Sequence, residues 1–529
     1  MKRMLLLVAA TLFAASCATG PSRESNLVNR ALDAMGGADS LAKVRTIHVK
    51  GTMKQWEPEQ SMVPGGEMRF ANEASFESVG DFSRRAVRVD WVKKFAYPSP
   101  RTFTFSEIVT PEAGYVIGVD SNGRNKQSLE TKPAAHSMSG PRLATTQREM
   151  RRASPSLLLE MRNNPGKVRA SPDVTLGGVA HPAASYDAGN YTFIVIFDPK
   201  SGLPARVRTL DYDNVWGDVN YDVVLSDWRM MGGVRIAASQ NYELNGRVVT
   251  EVRITEVVAN PAVAADRFEP PAAIKAGAAK PATGKVDYQW VLRRQFIGTY
   301  LDSDSVSFDT RATSSLRLAE IAPGVQHQVG GSHNTLIVEM SDFLVVMDAP
   351  VTDNQSVWTI NAVKAKYPGK PVKYLVLTHH HMDHAGGIRA YAAQGATLVV
   401  GKGAGAHFRK ALSSPSTRNP DVAARDFSNT PIVEVDGKYV ISDGKREFTV
   451  HSVDNSHAAA YLIGYVPDAR LAYVTDIWSP GRDPLPAKIS SPLAALTAAV
   501  RKAGIAPTRF AGGHGSTGEY APLAALAGN

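Results

Sequence analysis

The stretch Thr378-His379-His380-His381-Met382-Asp383-His384 constrains this chain more than any other. An apolar run at 372–377 precedes it and reads as a short buried strand, and Ala385-Gly386-Gly387 follows and opens a helix. Four imidazoles and a carboxylate therefore share a tight strand-to-helix connection. Neutral imidazole nitrogen and carboxylate oxygen are the donors that zinc and its neighbours prefer. Side chains alternate along an extended segment, so His379 and His381 face one side and His380 the other. The chain then turns and carries Asp383 and His384 to a second position close by.

Further donors stand at the ends of later strands. His457 follows the apolar segment ending at Val453, and Asp476 follows 471–475. His514 lies within Gly512-Gly513-His514-Gly515, where glycines let the backbone crowd a ligand. The intervening pattern is mixed, with strands expected at 335–340, 343–347, 397–400, 448–453 and 461–466 and helices at 357–366 and 492–500.

The order HxHxDH, then His, Asp and His, resembles the metallo-β-lactamase fold hydrolases over residues 318–518. That resemblance implies an αββα sandwich with metal at one edge between two sheets. It implies that His379, His381 and His457 hold one ion, that Asp383, His384 and His514 hold a second, and that Asp476 bridges them. The cofactor expected is a pair of divalent ions, zinc first, with iron or manganese able to occupy the same His/Asp set. The resemblance implies a shared hydroxide that attacks a carbonyl, with Asp383 as the catalytic residue that orients it and takes its proton. The activity expected is hydrolysis of a small ester, lactone, thioester or amide, with a β-lactamase as the alternative enzyme. His333, Tyr461 and Arg482 are expected substrate contacts, and Asp348 an outer carboxylate that orients the metal loop. The insert at 401–435 is expected to form a loop or lid near the site.

A chain of 529 residues exceeds what one core organises, and 43% hydrophobic with 21% charged residues excludes global disorder. The net charge of +9 is dispersed, so no nucleic-acid partner is expected. At the N-terminus, Lys2 and Arg3 precede an apolar run at 4–13 and then Ala14-Ala15-Ser16-Cys17. This resembles a bacterial lipoprotein signal with Cys17 as the lipidated residue, which implies a periplasm-facing protein of the cell envelope held to the membrane by its lipid. A secretory signal cut near Ala18, giving a soluble periplasmic or secreted protein, is the alternative. Cys17 is the only cysteine, so no disulfide within the chain is expected.

Residues 22–270 are mostly strand-like, punctuated by Gly232-Gly233 and Asn245-Gly246 hairpins and a turn at 198–204, with one helical interval at 143–162. A curved antiparallel sheet with a few helices is expected. The 198–204 turn, the Gly232-Gly233 hairpin, Asn260-Pro261 and Phe268 together resemble periplasmic lipoprotein-carrier domains, whose half-open barrels hold acyl chains. Acyl chains are accordingly an expected partner of this half, and a lipid or lipoprotein carrier with a degenerate hydrolase half is the alternative function. The Ala/Gly/Lys/Pro-rich run suggests a linker at 271–290, after which 291–529 forms the hydrolase domain. The whole reads as an α+β chain of two domains.

Overall fold

The computed structural model describes residues 21–121, 134–264, 266–284, 286, 288–297, 313–418, 426–482 and 484–528. The expected signal segment and Cys17, with its expected lipid, lie outside these residues.

The N-terminal half is one large antiparallel sheet. Its strands are β1 (Thr46–Glu57), β2 (Arg69–Asp81), β3 (Ala86–Phe95), β4 (Arg101–Val109), β5 (Gly114–Gly118), β6 (Ala135–Ser137), β7 (Val168–Leu176), β8 (Val179–Asp187), β9 (Thr192–Phe197), β10 (Pro204–Asp213), β11 (Gly217–Met231), β12 (Val234–Leu244) and β13 (Arg247–Ala259). They lie in the order β6-β5-β4-β3-β2-β1-β13-β12-β11-β10-β9-β8-β7. Six strands therefore run outward as a meander, and the chain returns along the other side to close on β1. Register shifts at Lys50/Gly51, Gln55/Trp56 and Tyr242/Glu243 add local twist near that junction.

Helices α1 (Arg23–Ala34), α2 (Ala38–Ala42), α3 (Gly140–Arg152) and α4 (Leu157–Asn163) pack on this sheet. Val28, Ala31 and Leu32 of α1 and Leu158 and Met161 of α4 meet Phe193, Val195 and Val207 in one cluster. The helical interval breaks between α3 and α4 at Pro155, because proline cannot continue the ladder.

After a short α5 (Ala272–Ala276), α6 (Tyr288–Ile297) packs against β1, β2, β10 and α3. The stretch expected as an extended spacer is thus partly helical and packed, because Ile274, Trp290 and Val291 give it apolar side chains to bury.

The C-terminal half is an αββα sandwich. One sheet orders β14 (Arg317–Ala322), β15 (Val325–Val329), β16 (Thr335–Glu339), β17 (Leu344–Met347), β18 (Val372–Val376), β19 (Thr397–Gly401) and β20 (Ile432–Val435) side by side. The other orders β21 (Lys438–Ser442), β22 (Glu447–Ser452), β23 (Leu462–Val466), β24 (Leu471–Val474), β25 (Arg509–Gly512) and β26 (Thr517–Glu519). Their inner faces share a core that includes Val338, Val345, Val376, Phe448, Leu462 and Tyr473. Outside the first sheet lie α7 (Asp353–Lys366), α8 (Met382–Ala385), α9 (Ile388–Ala392) and α10 (Gly405–Leu412). Outside the second lie α11 (Ser491–Ala503) and α12 (Tyr520–Leu526), with Leu496, Val500 and Leu523 turned inward.

The two halves meet along a polar and apolar seam. Val215, Trp290 and Val291 join the same core as Ile337, Leu344 and Ile388. Tyr212 donates its hydroxyl to Asp353 Oδ2 at 2.6 Å, and Asn214 donates to the Val351 carbonyl at 3.0 Å. Buried Arg293 pairs with Glu57, Glu59 and Asp213.

Candidate metal centre

The centre forms where the two sheets of the sandwich meet at one edge, and Asp348 sets its first loop. Asp348 follows β17, is buried and adopts a left-handed φ of 68°. Its Oδ1 accepts from the Thr378 backbone N–H at 2.8 Å and the Thr378 hydroxyl at 2.9 Å, and its Oδ2 lies 3.2 Å from His384 Nδ1. A buried carboxylate is costly unless its lone pairs are used, so this one binds the metal loop to the strand beside it.

That loop delivers its imidazoles in fixed orientations. Thr378 Oγ1 lies 3.1 Å from His379 Nδ1, which leaves His379 Nε2 facing the centre, 3.2 Å from His457 Nε2 and 3.2 Å from Asp476 Oδ2. His381 Nε2 lies 3.0 Å from the Ser61 carbonyl. A carbonyl only accepts, so the proton sits on Nε2 and the lone pair on Nδ1, which is buried without a hydrogen-bond partner. His384 turns its Nε2 inward, 3.1 Å from Asp476 Oδ2.

Asp476 is the hub. It follows β24 with a φ of 55°, and its Oδ2 lies 2.9 Å from His457 Nε2 while its Oδ1 lies 2.7 Å from His514 Nε2. The ligand atoms of His379, His381, His457 and Asp476 all fall within 4.8 Å of one another, as do those of His333, His384 and His514. Asp383 lies at the margin of the second group, its Oδ2 3.9 Å from His384 Nε2 and 3.2 Å from His333 Nε2.

Burial holds His379 at about 4 and His381 well below its ordinary range, so both imidazoles are neutral at pH 7. Burial is the largest single influence and alone would raise Asp383 and Asp476, but the facing His384 charge together with the other histidines, His333 at Asp383 and His457 and His379 at Asp476, holds both well below the usual carboxylate range. Burial likewise disfavours a charged His384, yet Asp476 and Asp383 prevail and raise it. Neutral imidazoles and ionised carboxylates are the forms that bind metal, so His379, His381, Asp383 and Asp476 stand ready and His384 would have to release its proton to serve as a donor. Two facing imidazole nitrogens 3.2 Å apart, together with the orphaned lone pair on His381 Nδ1, fit a divalent cation.

The remaining sequence candidates fall in different places. His333 is buried with its ring 4.3 Å from that of His514, so it faces the donors and belongs to the cluster more than to the solvent side. Tyr461, the expected substrate contact, lies beneath the donors. It is buried, its hydroxyl is engaged by both the carbonyl and the N–H of Thr475, and its ring stacks on His379 at 5.3 Å. Arg482 is exposed beside the His514 turn, donating to Ser479 Oγ at 3.1 Å. The 401–435 insert is not simply a lid: it carries α10 and β20, and Thr417 and Arg418 are tied to Asp218 of the N-terminal sheet.

Sequence reading missed the residues that the N-terminal half contributes. The β1–β2 connection reaches the centre: Gln60 Nε2 donates to Asp383 Oδ1 at 2.7 Å, and the Ser61 carbonyl faces His381 and, at 2.9 Å, His380. Arg69 donates to the His457 carbonyl at 3.0 Å. No motif marks this connection, so only its spatial position reveals it.

No curated protein matches the chain. Residues 330–520 match the metallo-beta-lactamase superfamily. Similar solved structures include a metallo-beta-lactamase from Pontibacter korlensis, 19% identical over 40% of this chain and 99% of its own, with a TM-score of 0.31. The metallo-beta-lactamase FIM-1 of Pseudomonas aeruginosa, in its mono-zinc form, is 18% identical over 40% of this chain and 94% of its own, at a TM-score of 0.31. The flavodiiron protein of Giardia intestinalis is 17% identical over 40% of this chain and 57% of its own, at a TM-score of 0.30. The family match and the two donor groups support metal-dependent hydrolase chemistry in general. The C-terminal half of this chain is a metallo-β-lactamase superfamily domain.

Proposed function

We propose that this chain is an envelope-anchored two-metal hydrolase acting on a small ester, lactone, thioester or amide. The observation that carries the reading is Asp476, whose two oxygens lie among His379, His384, His457 and His514. In this reading His379, His381 and His457 hold one divalent ion, Asp383, His384 and His514 the other, and Asp476 reaches both. Zinc suits the donors first, with iron or manganese as alternatives. Two such ions supply an acidified water and polarise a substrate carbonyl.

The chain's own groups do the rest. Asp383 stays ionised, so a carboxylate oxygen can take a proton from the attacking water and return it to the leaving group. A carbon–oxygen bond forms, the bond to the leaving group breaks, and the proton count closes. Asp348 and the Ser61 carbonyl fix His384 and His381, which keeps the donors from rotating.

The test is a panel of lactones, thioesters, aryl esters, sulfate esters and β-lactams, applied to the wild type and to an Asp383→Ala, His384→Ala double variant. Chelator-sensitive turnover of a carbonyl substrate, lost in the double variant, is expected. Turnover that survives both chelation and the double variant would sink the reading. Membrane anchoring rests on Cys17 and predicts that radiolabelled fatty acid enters the wild type and not Cys17→Ser. Among the described residues no helix is long and apolar enough to cross a membrane.

A second reading, acyl-chain binding by the N-terminal half, draws on one observation. A cavity of about 460 Å³ lies between the sheet and helices α2 and α4, lined by Leu41, Val44, Ile47, Phe82 and Leu159, with Arg45 among its polar groups. Its volume suits a small apolar ligand. Saturable binding of a fluorescent fatty acid, weakened by Leu159→Trp, is expected; no binding would remove this reading.

A further inference from the structure

We propose that the N-terminal sheet supplies a positioning residue to the metal centre: Gln60, oriented by Tyr97, locks the carboxylate of Asp383. The proposal rests on the two-metal reading and extends it across the seam between the halves.

The connection from β1 to β2 spans both walls of the centre. Toward the metal loop, Gln60 Nε2 donates to Asp383 Oδ1 at 2.7 Å, and the Ser61 carbonyl faces His380 and His381. Toward the opposite wall, the Met62 carbonyl accepts from the Ala459 N–H at 2.7 Å, and Arg69, which opens β2, donates to the His457 carbonyl. Gln60 and Ser61 are buried, so these bonds are shielded from competing water.

The orientation of the Gln60 amide follows from its two neighbours. An ionised carboxylate only accepts, so Asp383 requires the NH2 end. On the other side the Tyr97 hydroxyl donates to Gln60 Oε1. Burial, reinforced by the Asp383 and Asp476 charges, raises the Tyr97 hydroxyl well above its ordinary value, so it remains a protonated donor. The relay therefore runs from phenol to amide oxygen and from amide nitrogen to carboxylate.

Asp383 is then held at both oxygens, Oδ1 by Gln60 and Oδ2 by His333 at 3.2 Å. A carboxylate free to swing about its χ angles spreads its lone pairs over several positions, whereas this one presents them from a single rotamer. Groups that orient a metal-binding side chain commonly alter metal affinity by about 10–100-fold when removed. Gln60 is thus a positioning residue acting through Asp383, and the N-terminal sheet forms one wall of the site.

The test loads the full-length chain with Co(II) and follows both binding and visible absorption, which need no substrate. Wild type is expected to take two equivalents. Gln60→Ala is expected to weaken one equivalent by about tenfold or more and to change its ligand-field bands, leaving the other equivalent unchanged. Tyr97→Phe, which keeps the ring, is expected to act in the same direction and less strongly. With an aryl ester that the wild type turns over, Gln60→Ala lowers kcat with KM nearly unchanged. Two equivalents with unaltered affinity and spectrum in Gln60→Ala would overturn the proposal while leaving the two-metal reading intact. A gain in turnover would also overturn it, marking the connection as a plug. A wild type that binds no Co(II) would sink the two-metal reading, and this proposal with it.

Discussion

Asp348 Oδ2 lies 3.2 Å from His384 Nδ1, on the side of the ring opposite the Nε2 that faces Asp476. One buried carboxylate thereby fixes both the backbone of the metal loop, through Thr378, and the orientation of its last imidazole. Replacing Asp348 by alanine is expected to lower affinity for one metal equivalent by about 10–100-fold, as loss of an orienting carboxylate does elsewhere. Competition against a chromophoric chelator measures it; unchanged affinity would show that His384 needs no such support.

The metal loop also depends on close backbone approach. A Cβ on Gly386 would stand 2.1 Å from the Val351 carbonyl oxygen, a backbone atom that cannot rotate away. Gly386→Ala is expected to destabilise the chain by about 1–3 kcal/mol, the usual cost of overpacking. Differential scanning calorimetry should show a lower Tm together with reduced metal content.

The sandwich and its donors were legible because periodicity and donor chemistry agree there. The apolar run before Thr378 is β18, and His379, His381, His457, Asp476 and His514 all stand just beyond strands or at their turns. The N-terminal meander was legible in its hairpins but not in β2, where Glu73, Ser75 and Glu77 alternate with Ala74, Phe76 and Ser78 and leave only one large apolar side chain in the period. The tie between the Tyr461 hydroxyl and the Thr475 backbone was not legible, because only the fold brings the two together. Gln60 and Tyr97 were invisible for the same reason: they are hundreds of positions from Asp383 and carry no spacing rule.

The seam between the halves carries a pH dependence. Glu59 is pushed up to about 8, first by burial and then by the Asp213 and Glu57 charges, with Arg293 pulling against them. A carboxyl protonated in the folded chain but free to ionise once unfolded adds stability fully below its unfolded pKa of about 4.5. That contribution fades as pH rises through the folded value near 8. The urea midpoint of the wild type should therefore fall between about pH 5 and about pH 9 more steeply than that of Glu59→Gln. Parallel pH profiles would remove Glu59 as the source.

The central claim concerns donors that converge on Asp476, and metal content tests it most directly. Inductively coupled plasma mass spectrometry of the purified full-length chain should find two divalent ions per chain, with Asp476→Ala and His457→Ala each losing at least one while remaining folded by circular dichroism. A wild type free of metal after incubation with zinc, iron and manganese, or variants that keep both ions, would contradict the account.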